Sequence, residues 1–298
     1  MFAGSYVAIV TPMHRDGAID WTAWRRLLDF HAANGTRGIV VGGTTGESPT
    51  LTDAELRELT VKAQARVGQK LQIIVGIGTN STVATVQRAG WVSELKPDGV
   101  LVVTPSYNKP TQEGLYRHFE AVAAASRVPV ILYNVPGRTA VDCLPPTVER
   151  LARLPGVVAL KEAVPDLARV SQLAANCGED FAVLSGDDLT AREAILAGAT
   201  GIISVTANLA PKALSEMVAA ARAGDPSRAA ELDRPLERLH RDLFVEGNPI
   251  PVKWCLAELG MIEPGIRLPL TPLSERYHAL LREAMRVAGL MPSGWYAG

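Results

Sequence analysis

The chain has little that could staple it from outside. Its three cysteines, Cys143, Cys177 and Cys255, are odd in number and far apart, which excludes a disulfide framework and fits a reducing cytoplasm. Charge of one sign is lacking too. The formal net charge is −1 with no long acidic or basic run, which argues against a nucleic-acid surface. No apolar stretch is long enough to span a bilayer, and no basic start leads into an apolar leader, so neither a membrane helix nor a secretory signal is expected. The five histidines (14, 31, 118, 240 and 278) form no metal-ligand spacing with one another or with cysteine. Two nucleotide signatures are missing. Gly76-Ile77-Gly78 has no third glycine for a dinucleotide turn, and Gly42-Gly43-Thr44-Thr45-Gly46 lacks the Gly-Lys-Ser/Thr ending of a P-loop.

What is present is apolar material in a regular order. The 298 residues are 47% hydrophobic and 20% charged, enough for one large domain plus an appendage. Strands are expected near 5–10, 38–41, 71–75, 99–103, 129–133, 157–161, 181–185 and 201–204. Helical patterns fall between them, near 21–34, 52–67, 81–95, 112–126, 145–152, 166–176, 188–197 and 211–222. Asp20, Thr52 with Glu55, and Ser81 are helix-start signals. Eight alternations favour a (β/α)8 TIM barrel, residues 1–225, over an open doubly wound sheet. Beyond it the pattern changes. Leu232, Leu236, Leu239 and Leu243 form an apolar stripe on a helix that Pro235 would kink, and Tyr277, Leu280, Leu281 and Met285 form a second stripe. Residues 226–298 therefore read as a small C-terminal helical domain packed on the barrel.

Of seven lysines, only Lys161 interrupts a run that otherwise reads as a buried strand, Val157-Val158-Ala159-Leu160-Lys161. An ordinary lysine pKa of about 10.4 leaves under roughly one amine in a thousand neutral at pH 7. A desolvation shift of about three units raises that fraction to roughly a third, which makes the amine a nucleophile toward a carbonyl. The alternative is a lysine whose stem packs while its head reaches water.

In barrels the chemistry lies at the carboxyl ends of the strands. There the sequence sets the Gly-Thr turn with Thr44 and Thr45, the segment Thr104-Pro105-Ser106-Tyr107, Tyr133 followed by Arg138, Lys161, Gly186, and Ile203. The turn reads either as an anion cradle at a helix start or as a plain tight βα turn. Tyr133 reads as a proton shuttle or as packing. Arg138 reads as a carboxylate clamp or as a surface residue. Together they supply amine, shuttle, cradle and clamp on one face.

The segments GGTTGESPTL, TPSYNKPTQEGLYRHF, YNVPGRT, ALKEA, SGDD and NPIPVK, in that order, resemble the 4-hydroxy-tetrahydrodipicolinate synthases, within the pyruvate-dependent Schiff-base class I aldolase superfamily. The resemblance implies that Lys161 forms an imine with C2 of pyruvate, and that Tyr133 donates and accepts protons. Thr44 and Tyr107 would complete the relay, with Tyr107 offered by the neighbouring subunit. Thr45 and the backbone of Ile203 would hold pyruvate's carboxylate, Gly186 would line the site, and Arg138 would bind the carboxylate of L-aspartate 4-semialdehyde. It further implies a cytoplasmic homotetramer, a dimer of tight dimers, that needs no metal or organic cofactor for chemistry. Members inhibited by lysine bind it with an acidic residue, an imidazole and an aromatic; the matching places here hold Ala84, Leu56 and Ser106, with only Ser48 and Asn80 compatible. Weak or absent lysine inhibition is expected. Two rival readings share the early residues. One is a pyruvate-dependent aldolase or lyase acting on a 2-keto-3-deoxy sugar acid, N-acetylneuraminate or 4-hydroxy-2-oxoglutarate; the other is a barrel that binds a keto acid without turnover.

Overall fold

The computed structural model describes residues 2–291. Eight parallel strands close into a barrel in chain order: β1 (Gly4–Ala8), β2 (Gly38–Val41), β3 (Gln72–Gly76), β4 (Gly99–Val103), β5 (Val130–Asn134), β6 (Val157–Glu162), β7 (Ala182–Ser185) and β8 (Gly201–Ser204). The connecting helices are α1 (Trp21–Ala33), α2 (Asp53–Val67), α3 (Thr82–Glu94), α4 (Gln112–Ala125), α5 (Pro136–Thr139), α6 (Pro145–Leu151), α7 (Leu167–Asn176), α8 (Ala191–Leu196) and α9 (Pro211–Arg222). After them come α10 (Pro226–Asp233), α11 (Glu237–Asp242), α12 (Ile250–Glu258) and α13 (His278–Val287). The expected barrel is the observed one. Asp20 caps α1, Thr52 and Glu55 form a reciprocal capping box on α2, and Ser81 caps α3.

The strand sequences are apolar on both faces because both faces are covered. Residues alternate between an inner set, including Tyr6, Ala8, Val40, Ile74, Leu101, Ile131, Tyr133, Ala159, Leu184 and Ile203, and an outer set packed under the helices, including Val7, Ile39, Ile73, Val100, Leu132 and Leu160. Period-two alternation continues Ile131 to Tyr133 and Ala159 to Lys161, so both side chains enter the lumen. The register then places Tyr133 opposite Lys161 and Asn134 opposite Glu162.

Two expectations change. Glu162, not Lys161, is the last residue of β6, so the lysine is held by ladder bonds on either side of it. The leucine stripe does not lie on one helix. Pro235 lacks an N–H and crowds the preceding turn, and the chain breaks there into α10 and α11. Leu236, Leu239 and Leu243 are buried all the same. No described helix is long and apolar enough to cross a membrane.

Candidate active site

A cavity of about 150 Å³ opens among the carboxyl ends of the strands, lined by Thr44, Thr45, Tyr133, Arg138, Lys161 and Gly186 together with Ala8, Val40, Leu101, Phe244 and Asn248. Six of the residues singled out from the sequence therefore meet in one place. Lys161 is only 5% exposed, and its Nζ stands 4.5 Å from the centroid of the Tyr133 ring. Burial disfavours the ammonium and brings its pKa down to about 8; Asp188 opposes this and Arg138 reinforces it. Burial also pushes the Tyr133 phenol above its ordinary value, while Arg138 and a hydrogen bond from Thr44 partly offset that. An amine that gives up its proton far more readily than an ordinary lysine thus sits beside a phenol that keeps its own.

Gly186 is a steric requirement. A Cβ there would stand 2.9 Å from Lys161 Cε and 3.0 Å from the Ala163 methyl, so any side chain would push the lysine off its place. Arg138 is exposed; its Nη2 donates to the Asn248 carbonyl at 3.5 Å, and it lines the cavity, where a guanidinium can pair with a carboxylate.

The Gly-Thr turn departs from its expected geometry. It does not open a helix: a 3-10 turn, Ser48–Thr50, follows it, and α2 begins at Asp53. Three of its amides are spent internally, Gly46 and Ser48 donating to Gly43 O at 3.0 and 3.2 Å and Glu47 to Thr44 O at 3.1 Å. The Thr45 hydroxyl faces the cavity, and its oxygen accepts from Asn248 Nδ2 at 2.9 Å.

Ile203 is a buried residue of the inner set on β8, and Val205, two residues further on, lines the cavity. One of the named residues lies elsewhere. Tyr107 is 89% exposed, outside the cavity, with φ 73 on a loop that also holds Lys109 at φ 47. A bulky residue in that backbone region is strained unless something else holds it.

Sequence reasoning assigned no role to several groups that shape the site. Lys253, at the start of α12, makes a buried ion pair with Glu47, and the other Glu47 oxygen accepts from the Arg267 amide at 3.0 Å. This pair fastens the C-terminal helices onto the Gly-Thr turn and brings Asn248 over the cavity. Its halves lie 206 residues apart, so no local pattern could reveal it. Asp188 accepts from the Ser204 hydroxyl and from the Val205 amide at 2.8 Å. Outside the cavity, among the described residues, one cluster has ligand-type atoms within 4.8 Å of one another: His14, Asp20 and Glu263. Asp20 Oδ1 is already committed to capping α1, and His14 is an exposed partner of Glu263 at 3.0 Å.

Comparison with known proteins gives the family. The chain matches the dihydrodipicolinate synthetase family over residues 1–288. It is 52% identical over 287 residues to the 4-hydroxy-tetrahydrodipicolinate synthase of Nitrosospira multiformis, covering 96% of each chain. Its fold superposes with TM-score 0.96 on the chloride-inhibited dihydrodipicolinate synthase of Acinetobacter baumannii complexed with pyruvate, at 48% identity, covering 98% of this chain and all of that one. A dihydrodipicolinate synthase from Cyanidioschyzon merolae with lysine bound matches with TM-score 0.93 at 37% identity, covering 97% of this chain and 99% of that one. A buried lumen lysine beside a phenol, on a closed barrel that matches from end to end, makes this chain a member of the dihydrodipicolinate synthetase family.

Proposed function

We propose that the chain is a lyase that condenses pyruvate with L-aspartate 4-semialdehyde through an imine on Lys161, in lysine and diaminopimelate biosynthesis. The observation that carries the assignment of roles is the buried Lys161 amine, with a pKa of about 8, facing Tyr133 across one rung of the barrel. Neutral Nζ adds to C2 of pyruvate and the Tyr133 phenol protonates the departing carbonyl oxygen, which leaves as water. The imine then loses a C3 proton to give the enamine. The enamine carbon attacks the aldehyde carbon of the second substrate, and that oxygen takes a proton through Tyr133. The substrate's own amine displaces Lys161 by transimination, closing the ring and returning the free lysine.

Thr44 relays protons to Tyr133, a role supported by its place beside Tyr133 in the cavity lining and by the pull of its hydroxyl on the phenol. Thr45 and the Ile203 backbone hold pyruvate's carboxylate, Gly186 leaves room for Lys161 to swing, and Arg138 pairs with the carboxylate of the semialdehyde. Tyr107 completes the relay in a neighbouring subunit of a tight dimer; its exposure and left-handed backbone favour a side chain ordered by a partner. Two such dimers form a homotetramer. The division into a catalytic barrel, 1–225, and a helical domain, 226–298, belongs to the same proposal, as does a cytoplasmic location, which three free cysteines suit.

The test is turnover of L-aspartate 4-semialdehyde plus pyruvate against cleavage of a 2-keto-3-deoxy sugar acid, N-acetylneuraminate and 4-hydroxy-2-oxoglutarate. Condensation should exceed every cleavage reaction in kcat/KM. Faster cleavage of any of the three acids would reassign the chain to the lyases of its superfamily.

A further inference from the structure

Outward-facing positions of β5 and β6 are apolar until the last rung. Leu132 pairs with Leu160, both buried under the helices, but the next outward pair is Asn134 with Glu162. This rung adjoins the one that holds Tyr133 and Lys161. Both of its side chains are nearly inaccessible, Asn134 at 1% and Glu162 at 2% exposure. Asn134 Nδ2 donates to Glu162 Oε1 at 3.0 Å and to Asp142 Oδ1 at 2.8 Å, while its Oδ1 accepts from the Cys143 amide at 2.9 Å. Arg169, reaching in from α7, donates Nε to Glu162 Oε2 at 2.9 Å and places its fork on Asp142 with two contacts of 2.8 Å. Glu162 Oε1 also receives the Val164 amide at 2.9 Å, and the Glu162 carbonyl receives the Gly186 amide at 2.6 Å.

Buried ionic groups are weak contributors to stability, since apolar replacements of the same volume do as well or better. What a saturated network of forked, charge-assisted bonds adds is geometry. We propose that Asn134, Glu162, Arg169 and Asp142 form a positioning clamp that holds the ends of β5 and β6 in register, so that Lys161 and Tyr133 keep the separation the proton transfers need. This rests on the roles given above to Lys161 and Tyr133. The four residues touch no substrate; they act through the backbone of the neighbouring rung. A misplacement of about 1 Å between reacting groups lowers rates on the order of a hundredfold, so a modest slip of one strand end would be felt.

The test uses Glu162→Gln, Arg169→Met and Arg169→Lys in the full chain. Measured are single-turnover formation of the pyruvate adduct under borohydride quench, steady-state kcat and KM, and the chemical denaturation midpoint. Whichever way its amide turns, Glu162→Gln sets an N–H against a donor, either the Arg169 Nε–H or Asn134 Nδ2 and the Val164 amide, and adduct formation and kcat should each fall at least tenfold while KM for the semialdehyde moves less than threefold. Arg169→Lys should recover part of the loss seen in Arg169→Met, and should decide alone if the methionine variant does not fold. Rates within twofold of the parent, with only the denaturation midpoint lowered, would make the network purely structural and overturn the clamp. A parent protein that forms no adduct would instead sink the roles of Lys161 and Tyr133, a separate failure visible in the same experiment.

Discussion

Raising the pH should switch on Lys161 well below the range of an ordinary lysine, and the shape of the curve is calculable. With a pKa of about 8, the neutral amine is roughly 9% of the enzyme at pH 7 and roughly 91% at pH 9, by the ordinary titration relation. The rate of imine formation with subsaturating pyruvate should rise about tenfold across that interval and then level off. An unshifted lysine at 10.5 would go from about 0.03% to about 3% neutral, a hundredfold rise still climbing at pH 9. Pyruvate stays a carboxylate throughout. Tyr133 remains protonated because burial holds it above 10.0, so the lysine is the titrating group. The assay is rapid mixing with pyruvate followed by borohydride quench at intervals of pH from 6.5 to about 9.5, the span set by the two limiting pKa values. A plateau above pH 9 is expected. A rate that keeps rising steeply there would mean that the lumen does not desolvate the amine.

Four further outcomes follow from the same structure. Lys161→Met should abolish the adduct yet stabilise the fold at pH 7. Because the folded pKa lies below the unfolded one, the buried lysine destabilises at low pH and is relieved only as pH rises from about 8 toward 10.5; the shift corresponds to at most about 3 kcal/mol, read as a higher denaturation midpoint. Lys253→Met should cost about 3–5 kcal/mol by leaving Glu47 buried without its cation, and Glu47→Gln in the same chain should restore much of it, as a double-mutant cycle will record. Arg138→Ala should raise KM for the semialdehyde about tenfold to a hundredfold, the worth of a charge-assisted bond, with pyruvate imine formation changed far less; equal loss in both steps would make Arg138 structural. L-Lysine should inhibit weakly or not at all, since Ala84 offers no carboxylate and Leu56 is buried against the Gly42 turn, its Cδ1 only 2.4 Å from where a Gly42 Cβ would lie; potent inhibition at micromolar lysine in a steady-state assay would contradict this.

The barrel was legible because each strand is a short apolar run and the first helices carry start signals at Asp20, Thr52 and Ser81, which are local properties. Lys161 was legible for the same reason: a charge inside Val157-Val158-Ala159-Leu160 is anomalous wherever the strand goes. Its exact setting was not. That Tyr133 and Lys161 share one rung follows from register between two strands, and only the closed barrel fixes that register. Glu47 with Lys253, and Glu162 with Arg169 and Asp142, were hidden because surface charges and buried charges look alike in sequence. The leucine stripe over 232–243 misled in the opposite way. Its periodicity described burial correctly, but a proline in the middle changed the connectivity without exposing Leu236, Leu239 or Leu243.

The most direct test of the central claim is mass spectrometry of the protein after incubation with pyruvate and borohydride, followed by peptide mapping. The account predicts one reduced three-carbon adduct per chain, located on Lys161 and absent from Lys161→Arg, whose guanidinium stays protonated. An unmodified chain, or an adduct on any other lysine, would contradict it.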